Sequence, residues 1–323
     1  VPGMNDEVRI GAAIDVGSNS VHVLVCELGG VESRVLLDES MLLGLGAMVD
    51  LEGYIPDDGA AAAIEALTDY VELATEEGAE WVTLLATEPL RRASNRSHFC
   101  DEVEAATGRP LHVLSHEEEA MLTVLGVLGG EAVEEPLLVL DIGGGSSEIV
   151  LLEPGADPVV GVMPVGSARL TAQHVEDDPP TAEEVAALRA EAHHLLSGMP
   201  VGHPVRGVVV GGSGTNLLRL TGDEGDEDAD GAVTGDIDKT HTARAIEIVM
   251  SRPSHELVDT YGLRERRVLQ MAAGASLIEA ALDCYNLESM EASDASLREG
   301  ALVARARFGA TWRDDLDDLV VGG

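Results

Sequence analysis

The sequence predicts an α/β fold made of two similar lobes that face each other across a cleft. Three observations lead there. At roughly 150 residues per domain, a chain of 323 residues is long for one domain and comfortable for two. Two apolar stretches run into turns of the same kind, Asp15-Val-Gly17-Ser-Asn-Ser20 and Asp141-Ile-Gly143-Gly-Gly-Ser146, and each turn leads into another apolar stretch. Hydrophobic residues make up 45% of the chain but aromatics only 2%, so both lobes must pack around Val, Leu, Ile, Ala and Met. The two aspartates stand 126 residues apart, about one domain. The pattern reads as a duplicated βββαβα unit, with a first lobe over 1–130 and a second over 131–323. Chance similarity of two Gly-rich turns is the alternative.

In the first copy, residues 8–16, 21–28 and 33–42 read as strands, with Gly29-Gly30 as a hairpin signal. Residues 57–77 carry helical periodicity, with Ala61, Ile64, Leu67, Val71 and Ala74 on one stripe. A strand follows over 80–86. Residues 95–107 form a helix closed by Gly108, with Pro110 as a stop. After a short strand over 111–114, Ser115 opens a helix over 116–128, and Glu118 three residues on completes a capping box. The second copy restarts with strands over 137–142, 147–153 and 158–164. Helices are expected over 181–197, 213–220, 239–250, 264–282 and 296–310, with the last one packing back on the first lobe. A further strand spans 205–210. Residues 221–236 read as an acidic, Gly-rich surface loop, and the last ten residues as an acidic tail. The connection over 128–136, with Gly129-Gly130 and Pro136, suits a hinge for closure on a ligand; an ordinary surface loop is the alternative.

Charge excludes some partners. Twenty basic residues against 59 acidic ones give a net charge of −39, and Lys239 is the only lysine. This balance opposes nucleic acid and anionic membrane surfaces, since both reward cations. The acids are spread along a chain of ordinary apolar content, so the excess reads as adaptation to molar salt, where the Debye length is about 3 Å. A local acidic interaction surface is the alternative. Cys26, Cys100 and Cys284 are far apart and odd in number, which fits a reducing cytoplasm rather than a metal or disulfide set. No apolar stretch approaches the roughly 18 residues of a transmembrane helix. No signal-peptide pattern opens the chain, and Val1-Pro2-Gly3 ahead of Met4 reads as an addition to a native start.

The two Gly/Ser turns offer backbone N–H groups and hydroxyls as anion nests, phosphate above all: Gly17, Ser18, Asn19 and Ser20 in one, Gly143, Gly144, Gly145 and Ser146 in the other. Asp15 and Asp141 at the strand ends supply carboxylates for Mg²⁺ or its water shell; capping of the turn is the alternative. A third turn, Gly211-Gly212-Ser213-Gly214-Thr215, joins a strand to a helix and either brings helix N-terminal amides to a phosphate or is simply a tight turn. Glu117, Glu118 and Glu119 at a helix start are either dipole-matched caps or include a general base. Arg91-Arg92, just past a strand end, offers a fork for phosphate oxygens or a surface ion pair. The ten histidines, His22 among them, form no ligand cluster. A P-loop signature and a nucleophile elbow are both missing from the sequence.

These residues resemble the exopolyphosphatase/guanosine pentaphosphatase (Ppx/GppA) family. Residues 13–22 look like its first phosphate motif and 141–148 like its second. Ala86-Thr87 through Leu90-Arg91, Glu117-Glu118-Glu119-Ala120 and Ser293-Asp294 through Arg298-Glu299-Gly300 are similar to its other motifs, in order, from about residue 9 to 310. The resemblance implies two ribonuclease-H-like lobes of the actin-like ATPase (ASKHA) superfamily. It implies hydrolysis of terminal phosphoanhydride bonds of polyphosphate, of guanosine pentaphosphate, or of both. It implies Glu119 as general base, Arg91 as a catalytic phosphate contact, and metal or water contacts at Asp141 and Glu148. It implies phosphate contacts at the two loops; Thr87, within a matching motif, and Gly212, Ser213 and Gly214 of the third turn, read from the residues alone, are the further candidates. Glu88-Pro89 departs from the neutral or small residues usual there. The chain resembles the short members, which lack the extra C-terminal helical domains of longer relatives, so a weaker grip on long polyphosphate is expected. A homodimer is compatible with this reading. An ATP-dependent kinase of the same superfamily and a non-catalytic polyphosphate or alarmone sensor are the competing functions.

Overall fold

The computed structural model describes residues 8–29, 33–222 and 234–316. It divides into two compact units: unit 1 runs through Glu131 and resumes at Leu297, and unit 2 spans Ala132–Ser296. The expected division into 1–130 and 131–323 followed the sequence linearly. The described residues from Leu297 to Leu316, where the last helix was expected to pack back on the first lobe, belong to unit 1.

Unit 1 is built from β1 (Arg9–Val16), β2 (Ser20–Leu28), β3 (Arg34–Leu42), α1 (Leu45–Glu52), α2 (Asp57–Glu76), β4 (Trp81–Ala86), α3 (Glu88–Arg92), α4 (Arg96–Thr107), β5 (Leu111–Val113) and α5 (His116–Leu128). Its sheet has the order β3-β2-β1-β4-β5, an antiparallel meander joined to two parallel strands. Alternation along the strands sends Ala12, Ile14 and Val16 to one face, against Leu67 of α2 and Phe99 of α4. Ala13, Leu24 and Leu85 face the other way, against Leu122 of α5.

Unit 2 repeats the plan with β6 (Leu137–Ile142), β7 (Ser147–Leu152), β8 (Val159–Met163), α6 (Ser167–His174), α7 (Ala182–Ser197), β9 (Arg206–Val210), α8 (Gly212–Thr221), β10 (Gly235–Asp238), α9 (Lys239–Ser251), α10 (Ser254–Tyr261), α11 (Glu265–Leu269), α12 (Met271–Tyr285) and β11 (Ser289–Ser293). Its sheet order is β10-β11-β9-β6-β7-β8. Read from β8, this is the order of unit 1 with β10 added at the far edge. The core gathers around α12, which is buried on nearly every side. α13 (Leu297–Phe308) then returns to the face of unit 1 that α5 covers. Gly300 lets α13 approach α5 backbone to backbone, since a Cβ there would sit 1.8 Å from the Leu122 carbonyl oxygen.

Several expectations change in detail. The helix predicted over 264–282 is two helices, α11 and α12, meeting at Gln270. The acidic loop predicted over 221–236 lies mostly outside the described residues, and its end is the strand β10. Residues 1–7 and 317–323 also lie outside them. The Gly129-Gly130 segment closes α5 at φ 56°, and Arg307 of α13 donates to the Gly130 carbonyl at 2.7 Å. Among the described residues no helix is long and apolar enough to cross a membrane.

Candidate active site

In unit 1, β1 and β4 run parallel, with Val16 beside Ala86, and β5 adds Val113 beside Ala86. The turn after β1, the start of α3 and the start of α5 therefore lie at the carboxyl ends of adjacent strands, where α/β sheets bind ligands. The Gly17 amide donates to the Ser20 carbonyl at 3.0 Å and closes the turn. The Ser18 carbonyl accepts from Gly46 N–H at 2.9 Å, and the Asn19 carbonyl from Leu43 and Gly44 at 3.1 and 2.9 Å. Because C=O and N–H of one planar peptide point in opposite directions, these bonds turn the Asn19 and Ser20 amides away from α1. A Cβ on Gly46 would stand 2.8 Å from that of Ser18, so glycine permits this approach.

Unit 2 solves the same problem the same way. The Gly143 amide donates to the Ser146 carbonyl at 3.1 Å. The Gly143 carbonyl accepts from Ser167 N–H at 2.9 Å, and the Gly144 carbonyl from Ala168 and Arg169 at 3.1 Å. The Arg169 guanidinium donates to the Gly145 carbonyl. The amides of Gly144, Gly145 and Ser146 therefore point away from the start of α6. Gly166 makes the docking feasible, since a Cβ there would meet the Gly143 carbonyl oxygen at 2.3 Å.

Carboxylates flank both turns. Asp15 ends β1 opposite His22, whose Nε2 lies 2.6 Å from the Ser20 hydroxyl. Asp141 ends β6 directly opposite Glu148, and Glu148 is buried. Two acids facing each other across strands repel, and burial sharpens the cost. Hard oxygen donors in that arrangement fit a divalent cation such as Mg²⁺.

Beside the first turn, Arg91 organises the start of α5. Its Nη1 donates to Glu119 Oε2 at 2.6 Å and to the Leu114 carbonyl at 3.1 Å, and its Nη2 lies 3.1 Å from His116 Nδ1. Both Arg91 and Glu119 are nearly covered, at 13% and 10% side-chain exposure. Burial, then the Arg91 charge, pushes His116 below the usual imidazole range, so it favours the neutral form. Thr87 is buried and its N–H donates to the Val16 carbonyl at 3.2 Å, tying α3 to the end of β1. Arg92 does not join Arg91: it pairs with Glu88 and, at 2.8 Å, with Asp50.

Two contributors were not evident from sequence. Glu88 is buried and accepts from the Ser18 hydroxyl at 3.1 Å, so it grips the first loop. In unit 2, the Arg267 guanidinium overlies Gly212, where a Cβ would meet Nη1 at 2.7 Å. Burial, with Arg264 and Arg266 nearby, holds its pKa below the usual guanidinium range, the mark of a desolvated cation. No periodicity or motif announces an arginine that arrives from α11. In the third turn, a Cβ on Gly211 would lie 2.9 Å from the Ile142 carbonyl and 3.6 Å from Asp141 Oδ1, which joins the start of α8 to the Asp141 end of the sheet. The Ser213 side chain packs against Gly274, and Gly214 faces Val209, so backbone rather than side chains can serve a ligand there.

The structure thus collects Asp15, Gly17, Ser18, Asn19, Ser20, Thr87, Arg91 and Glu119 at one end of the first sheet. It collects Asp141, Gly143–Ser146, Glu148 and Gly212 at the corresponding end of the second. Solved proteins share the fold. The Ppx/GppA family member of Aquifex aeolicus aligns with a TM-score of 0.81 at 27% identity, covering 93% of this chain and 98% of that one. An exopolyphosphatase from Cytophaga hutchinsonii aligns equally well, TM-score 0.81 over 92% and 98%, at 20% identity, a likeness of fold. In sequence, exopolyphosphatase 1 of Mycobacterium tuberculosis is 30% identical over 315 residues, spanning 92% of this chain and 88% of that protein. Exopolyphosphatase 2 of the same organism is 39% identical over 191 residues, 55% and 59% of the two chains. Fold and relatives define an enzyme of the actin-like class with two α/β lobes. Residues 24–307 match the model of the Ppx/GppA phosphatase family, and the chain belongs to that family, a family of phosphoanhydride hydrolases.

Proposed function

We propose that the protein is an exopolyphosphatase, cleaving the terminal phosphoanhydride bond of inorganic polyphosphate and releasing orthophosphate. The observation that carries this reading is the covered Arg91–Glu119 couple, 2.6 Å apart, at the strand ends beside the first loop. In it, Arg91 fixes the direction of the Glu119 carboxylate, as an orienting partner does for a general base. Glu119 accepts the proton of the attacking water. Neutral His116 neighbours the couple without adding charge. The amides of Asn19 and Ser20, and those of Gly144, Gly145 and Ser146, bind phosphoryl oxygens and stabilise charge that develops on them. In unit 2, Asp141 and Glu148 are the residues that would hold Mg²⁺, which would supply neutralising charge to the phosphates; in unit 1, Asp15 offers a carboxylate at the corresponding strand end. Arg267 gives unit 2 a desolvated cation beside the start of α8 for a further phosphate group.

Guanosine pentaphosphate carries the same terminal bond, and the same groups would serve it. The deciding experiment is phosphate release from short polyphosphate, long polyphosphate and guanosine pentaphosphate, compared at molar KCl with Mg²⁺. Release without ATP supports the hydrolase. Phosphoryl transfer to an acceptor only with ATP would make the protein a kinase, and tight binding without turnover would make it a sensor.

A further inference from the structure

Two arginines bracket the segment that delivers Glu119. From one side Arg91 donates to the Leu114 carbonyl and to Glu119, and contacts His116. From the other, Arg313 donates to the Val113 carbonyl at 2.9 Å and to both oxygens of Glu118, with Nη2–Oε2 at 2.7 Å. The two sets interleave along the chain: 113 and 118 belong to Arg313, and 114, 116 and 119 to Arg91. Glu118 is also the second half of the capping box. Its Oε2 accepts from Ser115 N–H at 2.7 Å, while the Ser115 hydroxyl accepts from Glu118 N–H at 3.1 Å. One carboxylate therefore both starts α5 and receives the arginine.

The anchor for Arg313 is its neighbour. Trp312 is 2% exposed and packs edge-on against His112, ring centroids 5.8 Å apart. An exposed ion pair held by two loose side chains does little. Here an indole buried in the α5/α13 core fixes the backbone, and the guanidinium makes three contacts from that fixed point. Burial pulls the Glu118 carboxyl upward, but the bonds from Arg313 and Ser115 outweigh it and hold it below the usual range, as a gripped carboxylate requires.

We propose that Arg313 is a positioning residue for Glu119, acting through Glu118 and the Val113 carbonyl; the proposal rests on the reading of Glu119 as general base. Arg313 bonds to Glu118 and the Val113 carbonyl, so its effect passes through the placement of the first turn of α5. A base displaced by a fraction of an ångström loses rate without losing substrate.

The test is steady-state kinetics on the full chain, with folding followed by circular dichroism and thermal melting. Arg313→Ala should lower kcat about tenfold while KM moves less than about twofold. Arg313→Lys should restore part of the loss, since it keeps the charge toward Glu118 but offers no fork. Glu118→Gln preserves the capping box through its amide oxygen, and adding Arg313→Ala to it should cost less than in the wild type. As a control, Arg206→Gln removes an exposed pair with Glu291 and should leave kcat unchanged. A folded Arg313→Ala with wild-type kcat, or one in which only KM rises, overturns the proposal. If the alanine variant does not fold, the lysine variant decides: reduced kcat at constant KM supports positioning, and full kcat overturns it. Glu119→Gln with undiminished turnover would instead overturn the base assignment, whatever Arg313 does.

Discussion

Glu119→Gln keeps the shape of the side chain and removes its basicity, so turnover should fall by about a hundredfold or more while substrate still binds. Single-turnover kinetics together with equilibrium binding would check this. Arg91→Lys should cost more than its conserved charge suggests, because three partners, Leu114, His116 and Glu119, share one guanidinium. Wild-type rates in that variant would remove Arg91 as the organiser. Asp141→Asn should raise the Mg²⁺ concentration needed for half-maximal rate, and an unchanged metal dependence would count against the carboxylate pair. At this scale the sequence was informative about position where a residue type stands in a local pattern: Asp141 before Gly-Gly-Gly-Ser, or Glu119 within the first turn after a cap. It was silent where a residue arrives from elsewhere in the chain. Gly166 looks like any loop glycine until its missing Cβ is seen to admit the Gly143 carbonyl. Gly166→Ala should therefore cost about 1–3 kcal/mol by overpacking against backbone, read as a lower melting midpoint.

Among the elements, α5 starts where Ser115 and Glu118 said it would, because a capping box is a local device. Ser115→Ala should cost about 1 kcal/mol in chemical denaturation. α1, α3, α6 and α10 were not anticipated: at eight residues or fewer they span about two turns, too short for a repeating stripe to stand out in the sequence. The break at Gln270 was invisible for a similar reason, since apolar residues continue across it. The loop ahead of α7 offers a pH test. Glu184 accepts from the N–H groups of Glu176, Asp177 and Thr181, and these bonds, opposed by a smaller burial effect, bring its pKa down from 4.5 to about 2. A lowered folded-state pKa adds stability that is complete above 4.5 and is lost as pH falls toward 2. Glu184→Gln should flatten the acid limb of the stability curve in that window. An identical limb in both proteins would mean that the loop does not report on unfolding.

For the whole molecule, a net charge of −39 makes salt the first variable to change. Between molar salt and about 0.1 M the Debye length grows from about 3 to about 10 Å, and neighbouring carboxylates begin to repel. Thermal midpoints should fall steeply across that range, and a midpoint indifferent to salt would argue against halophilic adaptation. The duplicated sheet order was legible because both copies keep the strand–turn–strand signal. The return of α13 to the first sheet was an expectation that periodicity alone could not decide, since the sequence near Leu297 looks the same whichever unit it covers. That return has a consequence for how the protein is made. Unit 2 is one uninterrupted stretch inserted within unit 1, whereas unit 1 needs residues from both sides of the insertion. As the ribosome delivers the chain from its N-terminus, the inserted unit can complete its core while the surrounding one still lacks its last helix. The earlier unit by sequence is then the later one to finish. A chain released before Leu297 would hold every residue of the Arg91–Glu119 couple and yet leave the face beneath α13 bare, so premature termination should yield an aggregating species rather than a slow enzyme.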